Sequence, residues 1–311
     1  MTHSAQMRNI AAKVETLRTA IAVSYVKMRP STIQLILDGR TPKGDPRPFA
    51  QVAAITAAKK TSDLIPFCHP LLVDHVHVDF ELTDDTVIST ITVTAVAKTG
   101  VEMEALTAAS LAALTFYDML KPVDDDLEIT GCRLVKKLGG KSDLPKAAPT
   151  GLRTAVLVAS DSTVAGRRVD RSGNLVCQQL QDWGITEPRY VVLPDDRKTI
   201  SAALIELSGE GFDLVITTGG TGFGPRDVTT EATLDVIDRQ AGGISEAIRA
   251  YGQKRTPYAF LSRGVAGIRG TTLIVNLPGS PGAVEDGIKA IFPAIFHAFP
   301  IMEGAGHGDH V

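Results

Sequence analysis

The stretch LIPFCHPLLVDHVHVDFEL, residues 64–82, brings one cysteine and three histidines, Cys68, His69, His75 and His77, into ten positions. Its second half alternates. Val76, Val78, Phe80 and Leu82 share one face, with His75, His77, Asp79 and Glu81 on the other, which is the two-residue period of a half-buried strand. The turn signal TDD follows, and TVISTITVTAVA (86–97) repeats the period with Val87, Ile91, Val93 and Ala95, so the pair reads as an antiparallel hairpin. Residues 102–120, EMEALTAASLAALTFYDML, are rich in helix formers and stop at Lys121-Pro122. Segments 13–28 and 47–60 also read as helical. A hairpin with helices predicts an α+β first half, with the helices on one sheet face.

A zinc site needs about four ligands converging tetrahedrally. Cys68 and His69 are adjacent, a spacing that rarely aims two side chains at one ion, and Cys132 and Cys177 are isolated. A zinc protein centred on this loop stays an alternative that stoichiometric metal would reveal. His75 and His77 read as a polar strand face or a subunit contact. His69 differs, because Pro66 and Pro70 make its loop rigid and hold the side chain partly exposed. Glu102 and Glu104 open the long helix, where the macrodipole favours carboxylates. Asp118 and Lys121 project together from its last turn, and alone would be an ordinary surface ion pair. Lys43 lies in a Gly/Pro loop. An imidazole, carboxylates and lysines are what a proton-moving reaction with a polyphosphate leaving group requires, though composition does not show that they meet.

The chain has 311 residues, which predicts two domains, and 44% apolar with 22% charged residues describes a globular protein. A net charge of −3, with acidic and basic residues close to balance on both sides of residue 150, argues against nucleic-acid binding. No signal peptide or membrane span is read: the stretch IKAIFPAIFHAFPIM is short and broken by Pro293, His297 and Pro300. Three cysteines form no disulfide framework and fit a reducing cytoplasm. Residues 139–153, GGKSDLPKAAPTGLR, read as a linker, and a short HGDH tail ends the chain.

Beyond the linker, RTAVLVAS, YVVLP, DLVITTGG and TLIVNLPG alternate with amphipathic stretches, which predicts an α/β, mostly parallel, doubly wound sheet with ligands at the strands' carboxyl ends. DLVITTGGTGFGPRD sets Gly219, Gly220, Gly222 and Gly224 directly after a strand, where backbone N–H groups can crowd an anion. No lysine completes a Walker loop, and Pro225 and Asp227 break the dinucleotide fingerprint. Taken alone, this loop is also compatible with a plain turn. LPGSPGAVED is a second such loop after a strand, so a shared crevice is expected. Asp195 and Asp227 are placed to enter it and hold Mg²⁺, although each alone would more often be a cap or turn residue.

Two blocks in the first half, KKTSDLIPFCHPLL (59–72) and KTGVEMEALTAASLAALTFYDMLK (98–121), closely resemble the cyclic pyranopterin monophosphate synthases, the MoaC family of molybdenum cofactor biosynthesis. The likeness runs from about Met7 to Ser142. It implies a ferredoxin-like α+β hexamer with pockets between subunits and no tightly bound cofactor. The implied reaction converts a cyclic dihydro-GTP nucleotide to cyclic pyranopterin monophosphate and diphosphate. By the same likeness Asp118 and Lys121 are catalytic, and Phe67-Cys68-His69 and Met103-Glu104 line the pocket. Lys43, Lys59, Lys137, Glu102, Lys13 and Arg18 also match active-site positions, with Phe67 standing where Leu is common. The implied division puts Lys13, Arg18 and Lys59 on the triphosphate, and Lys43, Lys121 and Asp118 on protons.

In the second half, SDSTVAGRRVDRSG, PDDR, TTGGTGFGPRDVT, SRGVAGIRG and NLPGSPGAV resemble the MoaB/Mog molybdopterin-binding proteins over about residues 152–303. This implies a three-layer α/β fold in trimers or hexamers, with adenylylation of molybdopterin by Mg²⁺ and ATP or, alternatively, a non-catalytic pterin-binding or scaffolding module. Asp195 and Asp227 would then be catalytic or metal-positioning carboxylates. Gly219, Gly220, Thr221 and Gly222 would hold phosphate, and Ser262, Pro278, Gly279 and Ser280 would line the pterin or nucleotide pocket; Asp161 and Asp170 belong to the first motif without a defined role. The expected organisation is 1–142, a linker at 143–151 and 152–311, in a hexamer or trimer-based multiple.

Overall fold

The computed structural model describes residues 5–140 and 143–304, in two compact units, Met1–Asp143 and Leu144–Val311. The expected boundary at residue 142 and the HGDH tail lie outside the described residues. Among those described, no helix is long and apolar enough to cross a membrane.

In the first unit β1 (Thr16–Lys27) leads through α1 (Pro30–Leu37), α2 (Pro46–Lys59) and the short α3 (Thr61–Leu64) to the hairpin of β2 (His75–Leu82) and β3 (Thr86–Ala97). The long α4 (Glu102–Leu120) and β4 (Glu128–Leu138) follow. The strands form one antiparallel sheet in the order β2-β3-β1-β4. The hairpin register sets Val76 opposite Val93 and Val78 opposite Ile91, so the apolar faces of both strands coincide.

Segment 13–28, expected as helix, is the central strand β1. Its alanines favour helix, but Ala20, Ala22, Ser24 and Val26 alternate toward α4 and are fully buried. Small residues are required because α4 lies close: Ser24 Oγ donates to Ala109 O at 2.7 Å. Edge strand β4 was not expected either. Nearly all its residues are exposed, and its apolar side chains Ile129, Leu134, Val135 and Leu138 fall at no period of two, so it carries no apolar alternation.

In the second unit the sheet order is β6-β5-β7-β10-β9-β8. Strands β5 (Thr154–Ala159), β6 (Arg189–Leu193), β7 (Leu214–Thr218) and β10 (Thr272–Leu277) run parallel, while β8 (Arg239–Gln240) and β9 (Ala266–Arg269) close an antiparallel edge. One face packs on α6 (Ser172–Asp182), α9 (Gly242–Gln253), α10 (Pro281–Ile291) and α11 (Ala298–Met302) through Val156, Ile216 and Val275. The other packs on α7 (Arg197–Gly209) and α8 (Thr229–Leu234) through Leu157, Val215 and Ile274. Alternate strand residues thus feed two cores, which is why these strands read as continuous apolar runs. The single turn α5 (Asp161–Val164) follows β5. The linker's later part belongs to this unit: Ala148 N donates to Trp183 O at 2.9 Å, and Leu152 packs on the core.

Asp124, 2% exposed, ties the end of β1 to the turn after α4, accepting from Arg29 N at 2.8 Å, Thr32 Oγ1 at 2.6 Å and Asp126 N at 2.9 Å. Burial, the largest single influence, raises its carboxyl pKa, but these donors together with the Arg29 charge outweigh it and hold the carboxyl below its ordinary value. Replacing Asp124 with Ala is expected to cost about 3 kcal/mol near neutral pH, because it strands buried donors. With the folded-state pKa depressed, the wild type's advantage is full above about pH 4. It disappears as pH falls through the folded-state pKa, which denaturation of both proteins from pH 7 to pH 2 will measure.

Candidate functional site

The loop after α3 and the start of α4 enclose a cavity of about 360 Å³ in the first unit. Six expected residues line it: Phe67, Cys68, His69, Glu102, Met103 and Glu104. Glu104 is only 3% exposed. Burial pushes its carboxyl pKa up, and the charge of Glu102 adds to that. Burial and Glu104 likewise raise the Cys68 thiol, which disfavours a thiolate nucleophile. Lys137 joins the site's edge through Glu102 at 3.2 Å, and Arg18 Nε donates to Ala97 O at 3.3 Å, two residues before the lining residue Thr99. Lys59 is exposed in the last turn of α2, and neither it nor Lys13 lines the cavity.

The remaining expected residues form a second group. Asp118 accepts from Lys121 at 2.8 Å and from Lys43 at 3.1 Å, and Lys43 also donates to Asp118 O at 2.8 Å. Hydrogen bonds from Lys121 and then Lys43 hold the Asp118 carboxyl below its usual range, and Asp118 raises the Lys121 ammonium. Glu104 and Asp118 are fourteen positions apart on α4. At 1.5 Å per residue that is about 21 Å, so one chain does not unite His69 with Asp118 and Lys121.

The second unit has a cavity of about 170 Å³ at the carboxyl ends of β5, β7 and β10, lined by Asp195, Asp227, Gly219, Gly220 and Gly279 among others. Gly219 has φ +96° and a Cβ there would lie 2.3 Å from Ala159 O; Gly220 has φ +63°, with a Cβ 2.3 Å from Thr229 Oγ1. No other residue fits either position without strain. Thr221 and Gly222 continue the loop without lining the cavity. Ser262, Pro278 and Ser280 also stay outside its lining: Ser262 Oγ accepts from Gly264 N, Pro278 O from Thr218 Oγ1, and Ser280 caps α10.

Asp161 and Asp195 bracket each other. Asp195 Oδ2 accepts from Asp161 N at 3.0 Å, and Asp161 Oδ1 from Asp195 N at 3.1 Å. Asp227 Oδ2 accepts from Gly224 N at 2.7 Å. Asp195 and Asp227 each keep an oxygen for a ligand, whereas Asp161 Oδ2 accepts from Arg226 Nη1 at 3.5 Å. Among the described residues no group of three His, Cys, Asp or Glu is set to hold a metal. Mg²⁺, which keeps its waters and binds through one or two carboxylates plus phosphate oxygens, still fits Asp195 and Asp227. Asp170 holds the start of α6, accepting from Ser172 N and Gly173 N at 3.1 Å and from Tyr190 Oη. Burial first, then the bond to Asp170, pushes the Tyr190 phenol up.

Sequence reasoning missed Arg8 and Thr99 in the first cavity, and Ser160, Thr163, Arg168 and Arg171 in the second. The density of arginine in GRRVDR, beside acidic neighbours, was the available signal for the last two.

Two separate folds, each with a cavity lined by both carboxylates and cations, define a two-unit protein. Residues 7–140 match the MoaC family, and residues 155–297 match the probable molybdopterin binding domain. A molybdenum cofactor biosynthesis bifunctional protein of Chlorobaculum tepidum is 42% identical over 302 residues, covering 97% of this chain and 96% of that protein. Its namesake in Synechococcus elongatus is 38% identical over 317 residues, covering 97% and 99%. A cyclic pyranopterin monophosphate synthase of Roseiflexus sp. is 53% identical over 142 residues, covering 44% and 89%. Among solved structures, the molybdopterin biosynthesis enzyme MoaB of Thermus thermophilus is 39% identical with a TM-score of 0.46, covering 50% of this chain and 98% of that one. The chain belongs to the family of bifunctional molybdenum cofactor biosynthesis proteins.

Replacing Lys43 with Met is expected to raise the Asp118 pKa toward the ordinary carboxylate value while leaving it below, because Lys121 remains. Carbon-13 NMR titration of the Asp118 side chain reads this directly, and an unmoved pKa would show that Lys43 does not hold the carboxylate in solution.

Proposed function

We propose that the first unit converts (8S)-3',8-cyclo-7,8-dihydroguanosine 5'-triphosphate to cyclic pyranopterin monophosphate and diphosphate. The convergence of six expected residues on one cavity carries this reading. The strand order β2-β3-β1-β4, with a helical crossover in each half, supports the ferredoxin-like fold. Because Asp118, Lys121 and Lys43 stand about 21 Å along α4 from Glu104, the pocket is completed by a second copy. One copy supplies His69 and Glu104, and its neighbour supplies the Lys43–Asp118–Lys121 cluster. A hexamer or trimer-based multiple follows as the functional form. Asp118, held ionised by two lysines, and Lys121 then move protons, while Lys13, Arg18 and Lys59 offset the triphosphate charge.

The second unit, on this proposal, binds molybdopterin and adenylylates it with ATP, releasing diphosphate. The glycine loop beside two carboxylates in one cavity carries that reading. Asp195 and Asp227 would hold Mg²⁺, which offsets phosphate charge when bound. Gly219 and Gly220 let the backbone approach the phosphates.

In the full chain, Asp118→Ala is expected to cut diphosphate release from the cyclic nucleotide by about 10³-fold and leave ATP-dependent release with molybdopterin intact. Asp227→Ala should do the reverse. Retained turnover of the cyclic nucleotide in Asp118→Ala, or a monomer by light scattering, refutes the first assignment. Binding of molybdopterin by the wild type without diphosphate release from ATP makes the second unit a binding module.

A further inference from the structure

The loop between β7 and α8 treats its two kinds of backbone group differently. Of residues 220–223, three carbonyls are taken and only that of Phe223 accepts from no partner among the described residues. Gly220 O accepts from Thr229 N at 3.0 Å, Thr221 O from Arg263 N at 2.8 Å and Gly224 O from Asp227 N at 3.0 Å. Gly222 O accepts from Arg263 Nε and Asp227 O from Arg263 Nη2, both at 2.7 Å. The N–H groups of Gly220, Thr221, Gly222 and Phe223 donate to no partner among the described residues, although Thr221 is only 4% exposed. A shielded backbone donor normally finds a partner, so the unpaired N–H of buried Thr221, next to positive-φ Gly220 at the cavity and half-buried Gly222, with exposed Phe223 following, describes an anion nest that runs from the cavity along the loop.

One residue organises the acceptor side. Arg263 makes three of those five bonds, and two further guanidinium donors go to Glu231, through Nη1 to Oε1 and through Nη2 to Oε2 at 3.4 Å. Glu231 offsets the guanidinium charge, and Arg263 in turn holds the Glu231 carboxyl below its ordinary pKa. With four of its five guanidinium donors engaged and its charge paired, Arg263 is poorly placed to grip a ligand itself. We propose that Arg263 is the positioning residue of the second unit's phosphate site, pinning the loop's carbonyls so that the N–H groups of residues 220–223 remain for a phosphate. The planar guanidinium serves acceptors in separate directions at once, which a lysine ammonium on a flexible stem does not. This rests on the reading that the second unit takes a phosphate-bearing ligand.

The test uses the full chain with inorganic diphosphate as probe. In the wild type, diphosphate should slow exchange of the 220–223 amide hydrogens and leave the Arg263 Nε–H signal in place. Arg263→Lys, which keeps the charge, should bind diphosphate about tenfold or more weakly, about 1.4 kcal/mol by the affinity constant, with amide protection lost and first-unit turnover unchanged. Wild-type affinity and protection in Arg263→Lys overturn the positioning role. So does an Arg263 Nε–H signal that shifts strongly when diphosphate binds the wild type, a measurement that needs no variant. Weaker binding with the 220–223 protection intact overturns it too, because the residue would then act on stability alone. A wild type that does not bind diphosphate refutes the phosphate reading itself, and the inference with it.

Discussion

Helix α4 lies against the first unit's sheet along a stripe of small residues, and its chemistry depends on that contact. Ala105, Ala108, Ala109, Ala112 and Ala113 are fully buried, facing the equally buried Ala20, Ala22 and Ser24 of β1 and the alanines of α2. Small side chains on both surfaces bring the backbones close, and the bond from Ser24 to Ala109 O fixes the helix along its axis. A straight helix held this way sets Glu102 and Glu104 at one end and Asp118 at the other, at a separation that packing does not let relax. Each end therefore carries part of a site, and neither end is sufficient for the proposed reaction.

On the proposed reading, the second unit meets the same requirement, to hold a polyanion, with backbone instead of side chains. Parallel strands β5, β7 and β10 end together, and the turns that leave them supply glycines where no Cβ fits. Carboxylates enter beside them already engaged, with Asp195 and Asp161 fixing one another's loops and Asp227 fixing Gly224. Such preorganisation limits rearrangement when ligand arrives. Asp195 and Asp227 are each oriented by a backbone donor, so in the proposed phosphate site the other oxygen of each would be left for metal or water.

Much of this was legible in local pattern. The hairpin follows from an apolar period of two, the long helix from its helix formers and their stop at Lys121-Pro122, and the four parallel strands from short unbroken apolar runs. Segment 13–28 failed because alanine signals helix wherever packing is unknown, whereas here alanine was selected by the closeness of α4. Strand β4 failed because an edge strand with solvent on its side chains has no face to bury, and its apolar residues do not alternate. For the cavities, motif-bearing residues such as His69, Glu104, Gly219 and Asp195 line the walls and were legible in the sequence. Arg8, Arg168 and Arg171 were not, since what makes them notable is the cavity beside them.

By itself the sequence determined which segments bury which faces, because periodicity is a property of neighbouring residues. It also determined the chemical types available, with carboxylates, lysines, an imidazole and strand-end glycines at fixed places along the chain. Tertiary structure decided which of them meet. It gathered Phe67, His69 and Glu104 around one cavity and sent Asp118, Lys43 and Lys121 to the far end of α4. It also bound Asp195 to Asp161 across thirty-four positions and brought Arg263 to the glycine loop. Distance along a chain carries no information about distance in space once strands pair and helices cross them, so such meetings are consequences of packing alone.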